Sequence, residues 1–296
     1  MSRITAIGEI LFDIYPDGKN LGGAPFNFIY HVIKLTGRGN FISAVGNDKF
    51  GAEILDILNN KGIEKKYVQV NYDHPTGAAV ANLDEKKIPH WEIKTGTAYD
   101  FINPAPVLEE LISGGTDCLY FGTLARRSEV SGRTIKYLFN RKNIKYFCDL
   151  NIRQNFYSQE IIEDSLITSD ALKLNVDELQ IVNRLLLNQP FDIINLARLI
   201  SKKYDIELVC VTMGDKGSYI ICGDKDDKRY HPIDNVVDTV GAGDAFAAIL
   251  CLGFLNGWDI SKINRLASEF AAETVKIEGA LPKSDLFYEK FKEKIN

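Results

Sequence analysis

Short runs of β-branched and aromatic residues recur along this chain with helical patterns between them, and that alternation restricts the fold more than any other feature. The runs are ITAIGEI from Ile4, NFISAV from Asn40, CLYFG from Cys118, KYFCDL from Lys145, ALKL from Ala171 and LVCVT from Leu208. Strands this apolar are buried on both faces, which is the signature of a parallel sheet, and parallel neighbours need crossovers that helices supply. GAEILDILNNKG sets Ile54, Leu55, Ile57 and Leu58 on one stripe and stops at Gly62. PFDIINLARLI opens with Pro190, a residue suited to a first helical turn. The pattern predicts an α/β fold, a mostly parallel sheet covered by helices.

Two stretches depart from it. FDIYPDGKNLGG carries an Asp17-Gly18 turn, and TGAAVANLDEKKIPHWEI reads as a hairpin with Asp84 to Lys87 at its tip. Segments near 13–22 and 68–100 are therefore expected to pair into a small sheet standing off the core, a lid. With no repeat, low-complexity tract or Pro/Gly/Ser-rich linker, one domain over residues 1–296 is expected.

Composition narrows the partners. A formal charge of −5 disfavours nucleic acid or an anionic membrane. The five cysteines are odd in number and widely spaced, as for buried thiols of a reducing compartment, and the four histidines are too scattered for a zinc pattern. The start lacks a signal-peptide pattern, and the longest apolar segment, Ala245 to Leu255, is shorter than the roughly 20 residues of a membrane span. A cytoplasmic protein is expected.

In open parallel sheets ligands bind beyond the carboxyl ends of the strands. There the first run continues to Asp13, the fourth ends at Asn151 with Arg153 following, the fifth ends at Asn175, and the sixth runs into Met213-Gly214. The most suggestive segment is VVDTVGAGDAFAAIL, residues 236–250. Gly241-Ala242-Gly243 running into a helix offers free N–H groups and the positive end of the macrodipole to an anion. Asp244 beside it could accept the proton of an alcohol attacking a phosphoryl group, which a lysine could not do. An acid at a helix start is expected to have a lowered pKa. The bland alternative is a helix start with an acid in its first turn. Neither GxxxxGK[ST] nor a protein-kinase HRD…DFG set is present, so any phosphate cradle is of another kind.

Gly22-Gly23-Ala24-Pro25-Phe26-Asn27 allows close approach of a small ligand, with Asn27 able to donate to and accept from hydroxyls, or is simply a tight turn with a helix cap. Asn175-Val176-Asp177-Glu178 sets an amide and an acid on one side of a starting helix. Glu178 could orient a water of Mg²⁺, or both acids could serve only the helix dipole. Thr212 to Gly217 joins two strands, as a nucleotide loop or a turn. Asp224, Asp226 and Asp227 read as a solvated hairpin tip rather than a calcium ladder.

Taken together these residues resemble the PfkB/ribokinase-like carbohydrate kinases. The resemblance spans nearly the whole chain: Gly8-Glu9-Ile10-Leu11-Phe12-Asp13, GGAPFN, VGNDKFG, NVDE, VTMGDKG and DTVGAGDAF. It implies a ribokinase-like α/β/α sandwich with a β lid, and transfer of the ATP γ-phosphoryl group to a sugar hydroxyl. In that reading Asp244 is the base and Gly241, Ala242 and Gly243 form the anion hole. Asp13, Gly23 and Asn27 match sugar-binding positions, Asn175 and Glu178 the phosphate and magnesium motif, and Thr212, Gly214 and Gly217 the nucleotide loop. Asp238 and the carbonyl of Val240, with carbonyls near Gly279, match a potassium site. GGAPFN, FGTLARRS and DLNIR are similar to the fructokinase branch, which brings Arg153, and as a weaker candidate Arg126, near the sugar or the phosphates. Phe26 departs from the usual small residue and could alter the pocket. Ribokinase, 2-keto-3-deoxygluconate kinase or nucleoside kinase activity are the alternatives within the family, and a non-catalytic sugar sensor is the alternative outside it. A homodimer through the lid is also expected.

Overall fold

The structure is a computed structural model that describes residues 2–83, 89–139, 141–232 and 234–295, so the expected hairpin tip at Asp84 to Lys87 lies outside the described residues. In chain order the elements begin with β1 (Ile4–Ile7), β2 (Leu11–Tyr15), β3 (Gly18–Gly22), α1 (Ala24–Thr36), β4 (Asn40–Gly46), α2 (Lys49–Asn60) and β5 (Val68–Asn71). Then come β6 (Gly77–Leu83), β7 (Pro89–Ile93), α3 (Pro106–Ser113), β8 (Cys118–Phe121), α4 (Glu129–Tyr137), β9 (Lys145–Asp149), α5 (Gln159–Thr168), β10 (Ala171–Asn175) and α6 (Val176–Val182). The chain finishes with α7 (Ile193–Tyr204), β11 (Leu208–Thr212), β12 (Ser218–Cys222), β13 (Lys225–Arg229), α8 (Ala242–Leu255), α9 (Ile260–Thr274) and α10 (Leu286–Ile295).

All six apolar runs are strands of one nine-stranded sheet, ordered β13-β12-β11-β10-β9-β8-β1-β4-β5. It is parallel from β11 to β5 and closes with two antiparallel strands. Because side chains alternate across a strand, Leu208 and Cys210 enter one apolar cluster with α1, α8, α9 and α10, while Val209 and Val211 enter the other, with α3 to α7. The result is a ribokinase-like α/β/α sandwich.

A second sheet, β3-β2-β6-β7, stands beside it, two antiparallel hairpins joined by the parallel pair β2/β6. It takes residues 13–22, 77–83 and 89–93 of the stretches expected to form a lid, and Leu11 and Phe12 before them. β5, inside the 68–100 segment, pairs instead with β4 at the edge of the central sheet.

Two local expectations are corrected. Pro190 lies outside α7, which starts at Ile193 because the Asp192 carboxylate accepts the Asn195 N–H at 2.8 Å and caps it. Asp226 and Asp227 are not at a solvated tip; they lie in β13, where Asp226 accepts from Tyr219 Oη at 2.7 Å and Asp227 from Asn264 Nδ2 at 2.7 Å.

Candidate active site

The carboxyl ends of β1, β9, β10 and β11 open into a cavity of about 480 Å³. Its floor carries Glu9, Asp149, Asn151, Lys173, Asn175 and Thr212, the small sheet supplies Leu11, Asp13, Ala79, Trp91 and Ile93, and the loop before α8 supplies Thr239, Val240 and Gly241.

That loop turns sharply at Gly241 (φ 80°), where a Cβ would stand 2.4 Å from Ala280 Cβ, so only glycine fits. Ala242 N–H donates to Thr239 O at 3.3 Å. Among the described residues the N–H groups of Gly241, Gly243 and Asp244 have no protein acceptor, the free donors of a helix start. Ala242 itself does not line the cavity, whereas Gly241 and Gly243 do.

Asp244 follows in the first turn of α8, facing the cavity and 8% exposed. Burial pushes its pKa up to about 6, helped by the charge of Asp149 and resisted by the Asn27 hydrogen bond, Lys173 and Arg153. This corrects the expected lowering: desolvation of a buried carboxylate outweighs the helix dipole. Asn27 Nδ2 donates to Asp244 Oδ2 at 2.8 Å, while Asn27 Oδ1 is buried with no partner. Donation to a carboxylate determines which amide atom is nitrogen, so the orphan is an acceptor.

Asn27 is carried by α1, preceded by its N-cap Gly23 (φ 109°); a Cβ there would stand 2.5 Å from Glu9 O. Asp13 lies on β2 with its carboxylate over Gly22, and burial raises its pKa to about 6 against the pull of Arg153. Arg153 is exposed at the mouth, and among the described residues no carboxylate lies within ion-pair distance of it. Asn175 and Glu178 form a reciprocal cap on α6: Asn175 Oδ1 accepts Glu178 N–H at 2.9 Å, and Glu178 Oε2 accepts Asn175 N–H at 2.8 Å. Glu178 Oε1 accepts Ile152 N–H at 2.8 Å. Burial first, then Asp149, raises the Glu178 pKa.

Asp238 lies behind the glycine loop and bridges two segments, accepting Val240 N–H at 3.0 Å and Gly279 N–H at 3.0 Å. Gly214 and Gly217 lie outside the cavity wall; both have positive φ in the turn from β11 to β12, and a Cβ on Gly217 would strike Arg229 O at 1.9 Å.

Two candidates belong elsewhere. Arg126 is buried against α5, donating to Asp164 Oδ2 and Ser165 Oγ at 2.5 Å each, away from the cavity. Phe26 packs into the core against Phe41 and Tyr30 and does not line the cavity. Sequence reasoning missed Glu9, Asp149, Lys173, Gln154 and Trp91. Asp149 and Lys173 were hidden inside apolar strands, and Trp91 in a hairpin read only as a lid; Glu9 was visible as the acid of GE-x-L-x-D and could have been found. Burial pushes the Glu9 carboxyl up to about 7.

The family model described as pfkB family carbohydrate kinase matches residues 16–285. The fructokinase of Escherichia coli is 26% identical over 95% of this chain and 95% of its own. Among solved structures, an uncharacterized sugar kinase from Pyrococcus horikoshii superposes with a TM-score of 0.84 at 23% identity, covering 100% of both chains. A double mutant of the Vibrio cholerae O395 fructokinase with fructose, ADP and potassium ion bound gives 0.79 at 22%, covering 97% of each. At these identities the two structures establish the fold alone.

Proposed function

Since the chain belongs to the pfkB family of carbohydrate kinases, we propose that it transfers the γ-phosphoryl group of ATP to a hydroxyl of a neutral sugar, D-fructose. The observation that carries this reading is the Asn27–Asp244 pair beside the free amides of Gly241 and Gly243. Asp244 has a pKa of about 6, so it is ionised at neutral pH and basic enough to take a proton as transfer proceeds. The orphaned Asn27 Oδ1 needs a donor, which a sugar hydroxyl supplies. The acceptor alcohol gives its proton to Asp244 as its oxygen bonds to phosphorus, and the bond to the ADP oxygen breaks. The Gly241 and Gly243 amides face the charge that spreads over the phosphoryl oxygens.

Asn175, Thr212 and the Thr212–Gly217 turn bound the nucleotide side in this reading, and Asp13, Gly23, Asn27 and Arg153 the sugar side. Glu178 suits magnesium: each carboxylate oxygen receives one backbone N–H and keeps a lone pair for a water of a hard cation. Magnesium would neutralise phosphate charge. Asp238, tying Val240 to Gly279, suits a potassium ion that would rigidify the glycine loop.

Charge favours a neutral sugar over a sugar acid or phosphate. Five acidic side chains line the cavity (Asp13, Asp149, Glu178 and Asp244, with Glu9 about half ionised at neutral pH) against Arg153 and a Lys173 already paired with Asp149. The similarity to E. coli fructokinase supports fructose within that class. The reading includes a cytoplasmic homodimer joined at the small sheet, whose edge strands β3 and β7 each present one side unpaired among the described residues.

The test is ADP release with fructose, ribose, 2-keto-3-deoxygluconate and adenosine. Fructose should give the highest kcat/KM; a higher value for the sugar acid would overturn the neutral-sugar reading, and saturable sugar binding with no ADP release would make the protein a sensor.

A further inference from the structure

The small sheet ends at β7, which pairs with β6 on one side. Lys94 N–H donates to Ala78 O at 2.9 Å, and the register sets Val80 against Glu92 and Ala81 against Trp91. Bonded and non-bonded pairs alternate along an antiparallel ladder, so the bond between 78 and 94 makes Ala81 and Trp91 a non-bonded pair. Trp91 therefore turns its N–H and C=O away from β6. A sheet edge commonly leaves such a carbonyl to water or to another chain. Here the cavity floor takes it: Gln154 Nε2 donates to Trp91 O at 2.5 Å, and both residues line the cavity.

The segment that carries Gln154 is built for a fixed shape. Asn151 (φ 43°) and Gln154 (φ 49°) both adopt the left-handed conformation, which residues other than glycine rarely take and which collects at ligand sites. Arg153 stands between them at the cavity mouth. Three residues beyond Trp91, a second tie reaches the same strand: Arg127 Nη2 donates to Lys94 O at 2.6 Å. Arg127 also donates to Asp100 Oδ1 at 2.8 Å and lies 4.5 Å over the Phe156 ring, so the floor segment and the root of β7 share one anchor. The two ties differ in kind. The Arg127 and Asp100 side chains are 6% and 4% exposed, and breaking a buried ion pair is strongly unfavourable. Gln154 is exposed and makes one neutral hydrogen bond that water can replace.

We propose that Gln154 is a positioning residue for the sugar: it latches the small sheet onto the cavity floor, with the Arg127–Asp100 pair as the fixed pivot. Latched, Trp91 and Ile93 form the wall of the sugar site and the 151–154 turn keeps Arg153 at the mouth. Released, the wall swings off, and the apparent sugar affinity falls with the latched fraction. The role in sugar binding rests on the sugar-kinase reading; the latch itself does not.

The test compares wild type with Gln154→Met, which keeps the length and loses the donor, and Gln154→Lys, which restores a donor. Fructose-dependent ADP release is measured beside hydrogen exchange of residues 89–94 in the ligand-free protein. Gln154→Met should raise the fructose KM about 5-fold with kcat changed less than about twofold, and should speed exchange in 89–94 by about 5-fold, the worth of one net hydrogen bond. Gln154→Lys should bring both back to within about twofold of wild type. Wild-type values in Gln154→Met overturn the proposal, and so does equal impairment of Gln154→Lys, which would assign the effect to the turn rather than to the donor. Should Gln154→Met fail to fold, exchange in wild type decides: protection of 89–94 must rise when fructose and AMP-PNP bind, and unchanged protection overturns the latch. Absence of sugar turnover in the wild type would defeat the function proposed above, while exchange in the ligand-free variants would still decide the latch.

Discussion

At the scale of single residues, Asp244 shows how position in the tertiary structure reverses a local rule. Its helix-start location favours the anion, but burial dominates and raises the pKa to about 6. If the ionised form is the base, kcat/KM should fall tenfold per pH unit as pH drops below about 6; a flat profile from pH 5 to 8 would exclude that role. Asp244→Ala should lower kcat by about 100-fold or more while sugar still binds. Stability should move the other way. With the folded pKa raised above 3.8, the group favours the native state at low pH, and that contribution is lost as pH rises through about 6. Each pKa unit is about 1.4 kcal/mol, so Asp244→Asn should gain on the order of 3 kcal/mol at pH 8 and nothing at pH 3, read from urea unfolding at both. This carboxylate was legible from GAGD; its pKa was not, because the Asp149 and Lys173 that surround it come from strands about 70–95 positions earlier in the chain.

At the scale of elements, the small sheet contributes Leu11, Asp13, Ala79, Trp91 and Ile93 to the cavity wall. Gln154 Nε2 ties Trp91 O to the floor at 2.5 Å, and Tyr15 meets the Trp91 ring edge-on at 5.1 Å. As a lid, the sheet would exclude water during transfer. Shortening the β6–β7 hairpin should raise ATP hydrolysis relative to sugar phosphorylation; an unchanged ratio would dismiss the lid. Trp91 is one of two tryptophans, and Trp258 lies by the turn from α8 to α9, so sugar should change the fluorescence of wild type but not of Trp91→Phe. The pairing of β2 with β3 and of β6 with β7 was readable from alternation, although the first turn falls at Pro16-Asp17 rather than Asp17-Gly18 and the expected tip at Asp84 to Lys87 lies outside the described residues. The start of α7 was misread because Pro190 and Asp192 both suit a helix start, and the Asp192 cap decides where the first turn closes.

At the scale of the molecule, seven parallel strands direct their carboxyl ends to one side and gather loops from distant parts of the chain. Asp238 joins the loop before α8 to Gly279, 41 residues later, at 3.0 Å. Asp238→Ala should abolish any stimulation of turnover by potassium over sodium, and equal stimulation in variant and wild type would remove the ion from that site. Sedimentation should give a dimer that a proline in β3 converts to monomer; a wild-type monomer would discard the lid interface.

The sequence by itself determined the layer architecture, the order of the strands along the chain and the helix start that faces the cavity, because hydrophobic period, turn chemistry and free helix-start amides are local properties of consecutive residues. It could not say that Lys173 and Asp149, each inside an apolar strand, meet behind the glycine loop, nor that Arg126 and Phe26 turn away from the site. Those outcomes depend on which strands become neighbours and which face each residue takes, and only long-range packing decides that.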